Sequence, residues 1–306
     1  MVALDPGTIE LPKLDHGRGR AGRFLLLFTG GKREKAIGGP ARPRSIRRHR
    51  SIWISDTHLG TRGSKADLLL DFLKHNECDL LYLVGDIVDG WRLSRAWYWH
   101  PSHNAVIDEI LRKAASGTRV IYVPGNHDEV LRDYAGCCLA GVEVAYEALH
   151  ETADGRKLLV MHGDHFDGVV TYARWLAVAG DHAYAWALRM NDVVARVRRQ
   201  FGMPYWSLSR WLKMQVKNAV DYISRFEDAV AREAERRGVD GVVCGHIHKA
   251  ELRQMGKILY CNDGDWVESC TALTEDQSGK LAILHWADEV AAHARQPVSL
   301  VQQAAE

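Results

Sequence analysis

The chain has 306 residues, of which 46% are apolar, and its formal net charge is +1. No apolar run approaches the roughly 18 residues of a membrane span, and the six cysteines fall in no CxxC or finger spacing. These features argue against a membrane-spanning or disulfide-stapled protein. We expect a cytoplasmic protein with reduced thiols, and one catalytic domain that carries an insertion.

Residues 1–48 differ in composition from the remainder. The first 50 residues carry twelve Lys or Arg and four Asp or Glu, and they are rich in Gly, Arg and Pro without a helical or strand period. This pattern predicts a basic, disordered N-terminal arm at 1–48. Such an arm could contact anionic lipid or nucleic acid, but a solvated tail or a start codon assigned too far upstream explains it as well. We therefore assign it no function.

From residue 51, short β-branched runs alternate with helical periods. This alternation predicts an α/β fold, an α+β sandwich of sheets flanked by helices. The runs predict strands at 51–55, 79–86, 119–126, 157–162, 239–244 and 281–286, a hairpin over 252–261 that turns at Gly256, and helices at 68–75 and 105–114.

A different composition occupies about 169–238. The segment has no strand signal, and its apolar residues recur at three-to-four spacing, with Trp175, Trp186, Trp206 and Trp211 among them. This spacing predicts a helical insertion that caps the domain. The whole catalytic domain is expected to span 49–290, followed by a tail at 291–306.

Five short polar blocks follow predicted strands. They are Asp56-Thr57-His58, Gly85-Asp86-Ile87-Val88-Asp89, Gly125-Asn126-His127-Asp128, His162-Gly163-Asp164 and Gly245-His246-Ile247-His248. Loops at strand ends can bring side chains together without disturbing the sheet. Imidazole nitrogen combined with carboxylate and amide oxygen suits Mn²⁺, Fe or Zn²⁺. Each block alone is weak evidence, but five in order favour a catalytic metal site.

The ordered set DxH, GDxxD, GNHD, HGD and GHxH resembles that of the calcineurin-like metallophosphoesterases over roughly residues 50–286. The resemblance implies a four-layer fold with two mixed β-sheets flanked by helices. It also implies that Asp56, His58 and His248 bind one divalent metal ion, that Asn126, His162 and His246 bind a second, and that Asp86 bridges them. Mn²⁺ is the expected metal, with Zn²⁺ or Fe as alternatives. Two ions would offset the charge of a phosphate ester and activate water near pH 7.

Other residues receive their roles from the same resemblance. His127 is expected to be a general acid or charge stabiliser at the leaving oxygen, oriented by Asp89. Asp128 and Asp164 are expected to support the loops and ligand histidines, although simple loop capping is equally compatible. His165 is a further candidate for substrate contact. Histidines outside the five blocks are expected at the surface or at helix ends.

Within the superfamily, the sequence is most similar to the UDP-2,3-diacylglucosamine pyrophosphatase-like group. The similarity rests on the ISDTHLG opening, on Trp91 in GDIVDGW, and on the insertion between HGD and GHxH. It implies cleavage of a sugar-nucleotide diphosphate to UMP and a lipid sugar phosphate in lipid A synthesis. Trp91 is therefore a candidate substrate contact, together with Arg210, Lys213 and Lys217, which share one predicted helix face. A core-packed helix with a solvated basic face is an equally good explanation of that face.

The substrate has alternatives. Well-known members of that group carry Arg at the position of His127, so this chain is a divergent member, and another nucleotide diphosphate, a lipid or a plain phosphodiester is possible. A non-catalytic metal-binding scaffold is a remote alternative, since all seven ligands are present. A phosphodiesterase that acts on nucleic acid, with the N-terminal arm as an electrostatic tether, is a further alternative. A nucleic-acid partner is not expected, because we find no aromatic-and-basic groove in the sequence of the catalytic domain. A diacylated substrate would place the protein on the cytoplasmic face of the inner membrane.

Overall fold

The computed structural model describes residues 45–169 and 208–295. Its strands are β1 (Arg47–Ile54), β2 (Asn76–Val84), β3 (Arg119–Val123), β4 (Cys138–Leu139), β5 (Val142–Val144), β6 (Ala148–Glu151), β7 (Lys157–Val160), β8 (Gly241–Cys244), β9 (Glu251–Met255), β10 (Ile258–Asn262), β11 (Thr271–Glu275) and β12 (Leu281–His285). The α-helices are α1 (Ala66–His75), α2 (Gly90–Arg95), α3 (Pro101–Ala115), α4 (Leu208–Arg237) and α5 (Trp286–Arg295). Two 3-10 helices cover Glu129–Tyr134 and Asp164–Val169.

The strands form two mixed sheets. The larger has the order β12-β11-β1-β2-β3-β5-β4, and the smaller has the order β6-β7-β8-β10-β9. Strands β1, β2, β3 and β5 run parallel to one another in the first sheet, as do β7, β8 and β10 in the second. Antiparallel strands complete both sheets. The parallel centres therefore align the carboxyl ends of the strands that carry the five polar blocks.

Three apolar clusters arrange these elements in layers. Residues of α1 and α3, such as Phe72 and Ile110, pack on one face of the larger sheet. The two sheets meet through Trp53, Val160 and their neighbours. Helix α4 covers the outer face of the smaller sheet, where its Phe226 and Val230 contact residues of β7, β8 and β10. The order is helix, sheet, sheet, helix, which confirms the predicted fold class.

Most predicted elements are present. Each predicted strand has a counterpart in the structure. The predictions at 51–55, 79–86 and 119–126 are β1, β2 and β3, and those at 157–162, 239–244 and 281–286 are β7, β8 and β12. The predicted hairpin through Gly256 is the pair β9–β10. The predicted helices at 68–75 and 105–114 lie within α1 and α3. Strands β4, β5, β6 and β11 and helices α2 and α5 were not predicted.

The domain ends are only partly described. Strand β1 begins at Arg47, so the last cations of the N-terminal charge run lie in the sheet. The rest of the arm, the first part of the insertion (170–207) and the end of the tail (296–306) lie outside the described residues. The described part of the insertion is helical, as α4.

Two further expectations concern cysteines and membranes. All six cysteines are free thiols. Within 45–169 and 208–295, we find no helix with the length and apolar character that a membrane crossing requires.

His103 attaches α3 to the loop that follows the first polar block. The expectation that it lies at a helix end is correct, and it is also buried with 2% of its surface exposed. Its Nδ1 accepts hydrogen bonds from the backbone N–H groups of Gly60 at 3.2 Å and His100 at 3.4 Å. An accepting Nδ1 must be unprotonated, and burial together with the nearby His100 lowers the pKa of His103 to about 4.

This lowered pKa predicts a loss of stability in mild acid. His103 takes up a proton near pH 6.5 in the unfolded chain but only near pH 4 in the folded chain, so its contribution is intact above pH 6.5 and disappears as the pH falls toward 4. Between pH 6.5 and 4, the free energy of unfolding of His103→Gln should therefore fall by on the order of 2 kcal/mol less than that of wild type. Urea unfolding at several pH values measures this difference. The exposed His285→Gln variant is the control, and equal pH slopes for wild type and His103→Gln would contradict the assignment.

Candidate metal centre

The ends of five strands converge on one site. Asp56 follows β1, Asp86 follows β2, Asn126 follows β3, His162 follows β7, and His246 and His248 follow β8. His58 lies on the same turn as Asp56. Asp56 and Asp86 are fully buried, and His58, His162 and His246 are buried as well. The structure thus brings six of the seven predicted metal ligands into two groups, and Asn126 lies in the adjoining loop, where the backbone N–H of His127 donates to Asp86 Oδ1 at 2.8 Å.

One group consists of Asp56, His58 and His248. Their nitrogen and oxygen atoms lie within 4.8 Å of one another. His248 Nε2 is 2.6 Å from Asp56 Oδ1 and 3.4 Å from His58 Nε2. The three donors face one point, and their composition of two imidazoles and one carboxylate suits a transition metal ion.

A second group consists of Asp86, His162 and His246, again within 4.8 Å of one another. His162 Nε2 lies 3.5 Å from Asp86 Oδ1. The other carboxylate oxygen of Asp86 lies 3.8 Å from His58 Nε2, which belongs to the first group. Asp86 therefore stands between the two groups, where a bridging ligand would stand.

The backbone of these turns adopts an unusual conformation. Asp56, His58, Asp86, His246 and His248 all have positive φ, between 45° and 69°. Non-glycine residues in this region carry strain, and such residues concentrate at functional sites. The strain accompanies the sharp turns that direct several side chains of one loop toward the same point.

Buried charges dominate the electrostatics of the site. Burial raises the pKa values of Asp56 and Asp86, but the surrounding imidazoles lower them more, to well below the usual range. Burial lowers the pKa values of His58 and His162, but the carboxylates raise them to about 9 and about 10. The carboxylates therefore stay ionised and attract positive charge, which a divalent cation can supply in place of imidazole protons.

Three of the predicted ligand atoms are buried without a hydrogen bond to any described residue. They are Asp86 Oδ2, Asn126 Oδ1 and His162 Nε2. The other ring nitrogen of His162, Nδ1, is 2.9 Å from the carbonyl oxygen of Val84 and donates to it, which leaves Nε2 unprotonated in the neutral ring. Buried acceptors are normally satisfied, so these atoms fit a site that holds metal ions.

His127 lies beside the metal ligands with its ring oriented by Asp89. Its Nδ1 is 3.1 Å from Asp89 Oδ1, and its Nε2 is 3.9 Å from Asp86 Oδ2. Asp89 also lies 3.3 Å from His58 Nδ1 and caps helix α2 by accepting from the backbone N–H of Arg92. One carboxylate thus orients both a predicted ligand and the predicted general acid.

Asp128 and Asp164 hold loops rather than facing the centre of the site. Asp128 accepts hydrogen bonds from Tyr122 Oη at 2.6 Å and from the backbone N–H groups of Ile87 and Gly125 at 2.8 and 2.6 Å. It therefore ties the second polar block to the third. Asp164 accepts from Arg132 at 2.6 Å. His165 is 64% exposed at its side chain and lies 3.6 Å from Asp164.

Ser55 and Asp263, which were not predicted from the sequence, form hydrogen bonds behind Asp56. Ser55 Oγ lies 2.8 Å from Asp56 Oδ2 and 2.6 Å from Asp263 Oδ1. A hydroxyl has one proton for these two carboxylates, and burial raises the pKa of Asp263 well above its usual value, so Asp263 can supply the other. The neighbouring Asn262 donates to the carbonyl of Gly245 at 2.7 Å. The run Asn262-Asp263-Gly264-Asp265 at the end of β10, a further polar block at a strand end, could have indicated these residues.

The candidate substrate contacts are only partly described. Trp91 lies at the site, with its ring 4.5 Å from that of His127 between centroids, and it is 44% exposed. Arg210, Lys213 and Lys217 belong to α4, but their side chains lie outside the described residues. Farther along α4, the ring of Phe226 lies 5.9 Å from that of His246. Helix α4 therefore packs directly against the site.

Comparisons with known proteins agree with this geometry. A family model described as calcineurin-like phosphoesterase matches residues 49–250. The chain is similar to the UDP-2,3-diacylglucosamine hydrolase of Stenotrophomonas maltophilia, with 27% identity over 75% of this chain and 96% of that protein. It is also similar to the enzyme of that name from Chromohalobacter salexigens, with 26% identity over 67% of this chain and 82% of the other.

Solved structures similar to this chain include an archaeal phosphodiesterase, with 15% identity and a TM-score of 0.38 over 76% of this chain and 98% of that one. A phosphoesterase of E. coli has 14% identity and a TM-score of 0.38 over 77% of this chain and 98% of that one.

The close approach of Gly85 to His162 predicts the effect of a single methyl group. Gly85 has φ +77°, and a Cβ there would overlap the His162 imidazole and lie 2.9 Å from Gly125 Cα. Gly117 has φ +100° and open space around it. Gly117→Ala should therefore cost only backbone strain, on the order of 1 to 2 kcal/mol of unfolding free energy.

Gly85→Ala should cost more and also weaken Mn²⁺ binding, because His162 must move. Urea unfolding and titration calorimetry with Mn²⁺ measure the two effects. Equal destabilisation by both substitutions, with unchanged Mn²⁺ affinity, would contradict this packing.

Proposed function

The chain belongs to the calcineurin-like phosphoesterase family, and from that premise we propose that it hydrolyses a UDP-2,3-diacylglucosamine-type sugar-nucleotide diphosphate to UMP and a lipid sugar phosphate. Membership makes the chain a metal-dependent hydrolase. The observation that carries the proposal is the pair of donor groups joined by the buried Asp86.

We assign one divalent ion to Asp56, His58 and His248, and the other to Asn126, His162 and His246, with Asp86 shared. Mn²⁺ is our first choice, because each set mixes imidazole with oxygen ligands and contains no thiolate. When bound, such ions supply Lewis acidity, which offsets the charge of a diphosphate and makes water nucleophilic near pH 7. The buried carboxylates support this assignment, as does the hydrogen bond from His162 Nδ1 to the carbonyl of Val84, which leaves Nε2 as the nitrogen available to a metal ion.

His127 is the proposed general acid. Asp89 lies at its Nδ1, so Nε2 is the ring atom directed toward the donors of the site. A proton held at Nε2 can pass to the leaving oxygen as the P–O bond breaks. The Trp91 ring, tilted by 35° against that of His127, places an aromatic face at the same point, where it can contact the leaving group or a nucleobase.

The substrate class is supported by the named relatives and by the path of α4. The two hydrolases align with most of this chain at 26–27% identity. Helix α4 runs for 30 residues and reaches the site through Phe226. Its N-terminal half carries Arg210, Lys213 and Lys217, which we propose as contacts for the diphosphate. A diacylated substrate stays in a bilayer, so we propose that the enzyme works at the cytoplasmic face of the inner membrane.

The direct test is release of UMP from UDP-2,3-diacylglucosamine in the presence of Mn²⁺. Asp86→Asn should reduce turnover by more than roughly 100-fold, because it removes the carboxylate shared by both metal ions. Loss of a residue that only hydrogen-bonds to a metal ligand already costs up to about that factor. His127→Ala should reduce turnover by roughly 10²- to 10⁴-fold. The exposed Asp79→Asn variant makes the same chemical change outside the site and should retain wild-type turnover.

Hydrolysis of bis-p-nitrophenyl phosphate, measured in parallel, separates the chemistry from the substrate. Activity on this diester without UMP release would retain the phosphoesterase assignment and replace the substrate with another diphosphate or diester. Mn²⁺ binding without turnover of either compound would contradict the enzyme assignment and favour a metal-binding scaffold.

A further inference from the structure

Helix α2 and the segment after it form an exposed aromatic surface. Trp97 is 57% exposed, Trp91 is 44% exposed, and no residue of α2 is buried. Tyr98 and Trp99 are half-buried, and the Trp97 and Trp99 rings lie 6.4 Å apart between centroids. We call the residues Trp91, Arg92, Arg95, Trp97, Tyr98 and Trp99, with Arg62 and Lys65, the α2 surface.

The charged residues of the α2 surface are all cationic, and the exposed Glu129 lies at its edge, where it accepts a hydrogen bond from Trp91 Nε1 at 3.5 Å. Arg62, Lys65, Arg92 and Arg95 are all exposed. None of the four forms an ion pair with a residue in the described ranges. The sequence has no Asp or Glu at 57–66 or at 90–107. Exposed indoles interspersed with unpaired cations are typical of surfaces that lie in the headgroup region of an anionic bilayer.

Two distant segments form the surface by direct contact. A Cβ on Gly60 would lie 2.8 Å from Leu93 Cγ, so α2 packs closely on the loop at 60–63. The guanidinium carbon of Arg62 is 5.2 Å from the centre of the Tyr98 ring. Six of the eight residues lie within 91–99 and form an aromatic and basic run in the sequence itself, and the fold adds the segment of Arg62 to it.

The α2 surface borders the metal centre. The cap residue of α2 is Asp89, which contacts His58 and His127, and Trp91 on the first turn of α2 lies against His127. A molecule that leaves a bilayer beside this surface therefore reaches the site directly.

We infer that the α2 surface docks the protein on an anionic lipid bilayer and presents the metal centre to substrate held there. The inference rests on the proposed lipid substrate for its choice of a bilayer over a nucleic acid, which could also stack on exposed tryptophans.

The test is co-sedimentation of the full-length chain with vesicles of phosphatidylcholine alone or mixed with phosphatidylglycerol. The double variant Trp97→Ser, Arg95→Gln removes one exposed aromatic and one exposed cation from the α2 surface. The matched double variant Tyr146→Ser, Lys257→Gln removes the same two kinds of side chain elsewhere, and Tyr146 is 59% exposed. The basic N-terminal residues are present in every protein, so their contribution is the same in each.

Wild type and the matched variant should bind the anionic vesicles, and the α2-surface variant should bind them at least about fivefold more weakly, since removal of one surface cation has about that effect. Hydrolysis of bis-p-nitrophenyl phosphate should be equal in all three proteins, which shows that each is folded. Equal vesicle binding by the α2-surface variant and wild type would overturn the inference.

An equal loss of vesicle binding in the matched variant would overturn it as well. Loss of single-stranded DNA binding with unchanged vesicle binding would also overturn it and assign the surface to nucleic acid. Absence of UMP release by wild type, with the expected pattern of vesicle binding, would instead remove the proposed substrate and leave the docking surface standing.

Discussion

Two buried carboxylates that share one imidazole impose the main constraint on this structure. His58 Nε2 lies 3.7 Å from Asp56 and 3.8 Å from Asp86, and neither carboxylate has any exposed surface. Ionised carboxylates in a buried site are unfavourable without positive charge nearby. Histidines from three different loops surround them, which explains why the site draws on both sheets. The same demand for positive charge makes the centre suited to divalent cations.

The surrounding polar network keeps these groups in place. Asp128 joins the loops of the second and third blocks through the backbone N–H groups of Ile87 and Gly125. Behind Asp56, Ser55 and Asp263 form a buried relay of hydrogen bonds. Hydrogen bonds of this kind, made to the side chains and loops that bind a metal ion, orient the ligands and limit their motion. One turn with positive φ is tied to another directly, since the backbone N–H of His246 donates to Asp56 Oδ2 at 2.7 Å.

The sequence predicted the parts of the fold that have a clear period. Strands β1, β2 and β3 are short apolar and β-branched runs, helices α1 and α3 repeat apolar residues at three-to-four-residue spacing, and each was found. Strands β4 and β5 have two and three residues, too few to show a period. Strand β11 is buried throughout yet contains Glu275, because Arg50 and His150 from other strands bond to that carboxylate. Such a partner cannot be recognised from local sequence.

In the candidate site, too, the residues in local sequence patterns were predicted and their distant partners were not. The seven predicted ligands lie in short blocks at strand ends, and the structure places six of them in two donor groups, with Asn126 in the adjoining loop. Asp263 was missed because its partner Ser55 is 208 residues away. Most of the α2 surface is a run at 91–99 of the sequence, and the contact of Arg62 with Tyr98 forms only in the folded chain. Short local patterns therefore identified the ligands, and the contacts that support them required the three-dimensional structure.

The most direct test of a dinuclear centre is the number of Mn²⁺ ions that one chain binds. Titration calorimetry on the full-length protein, after removal of metals with a chelator, measures this number together with the protons released. The shared position of Asp86 between two donor groups predicts two ions per chain, with proton release from the imidazoles whose pKa values lie above 7. Binding of a single ion, or of none, would contradict the account.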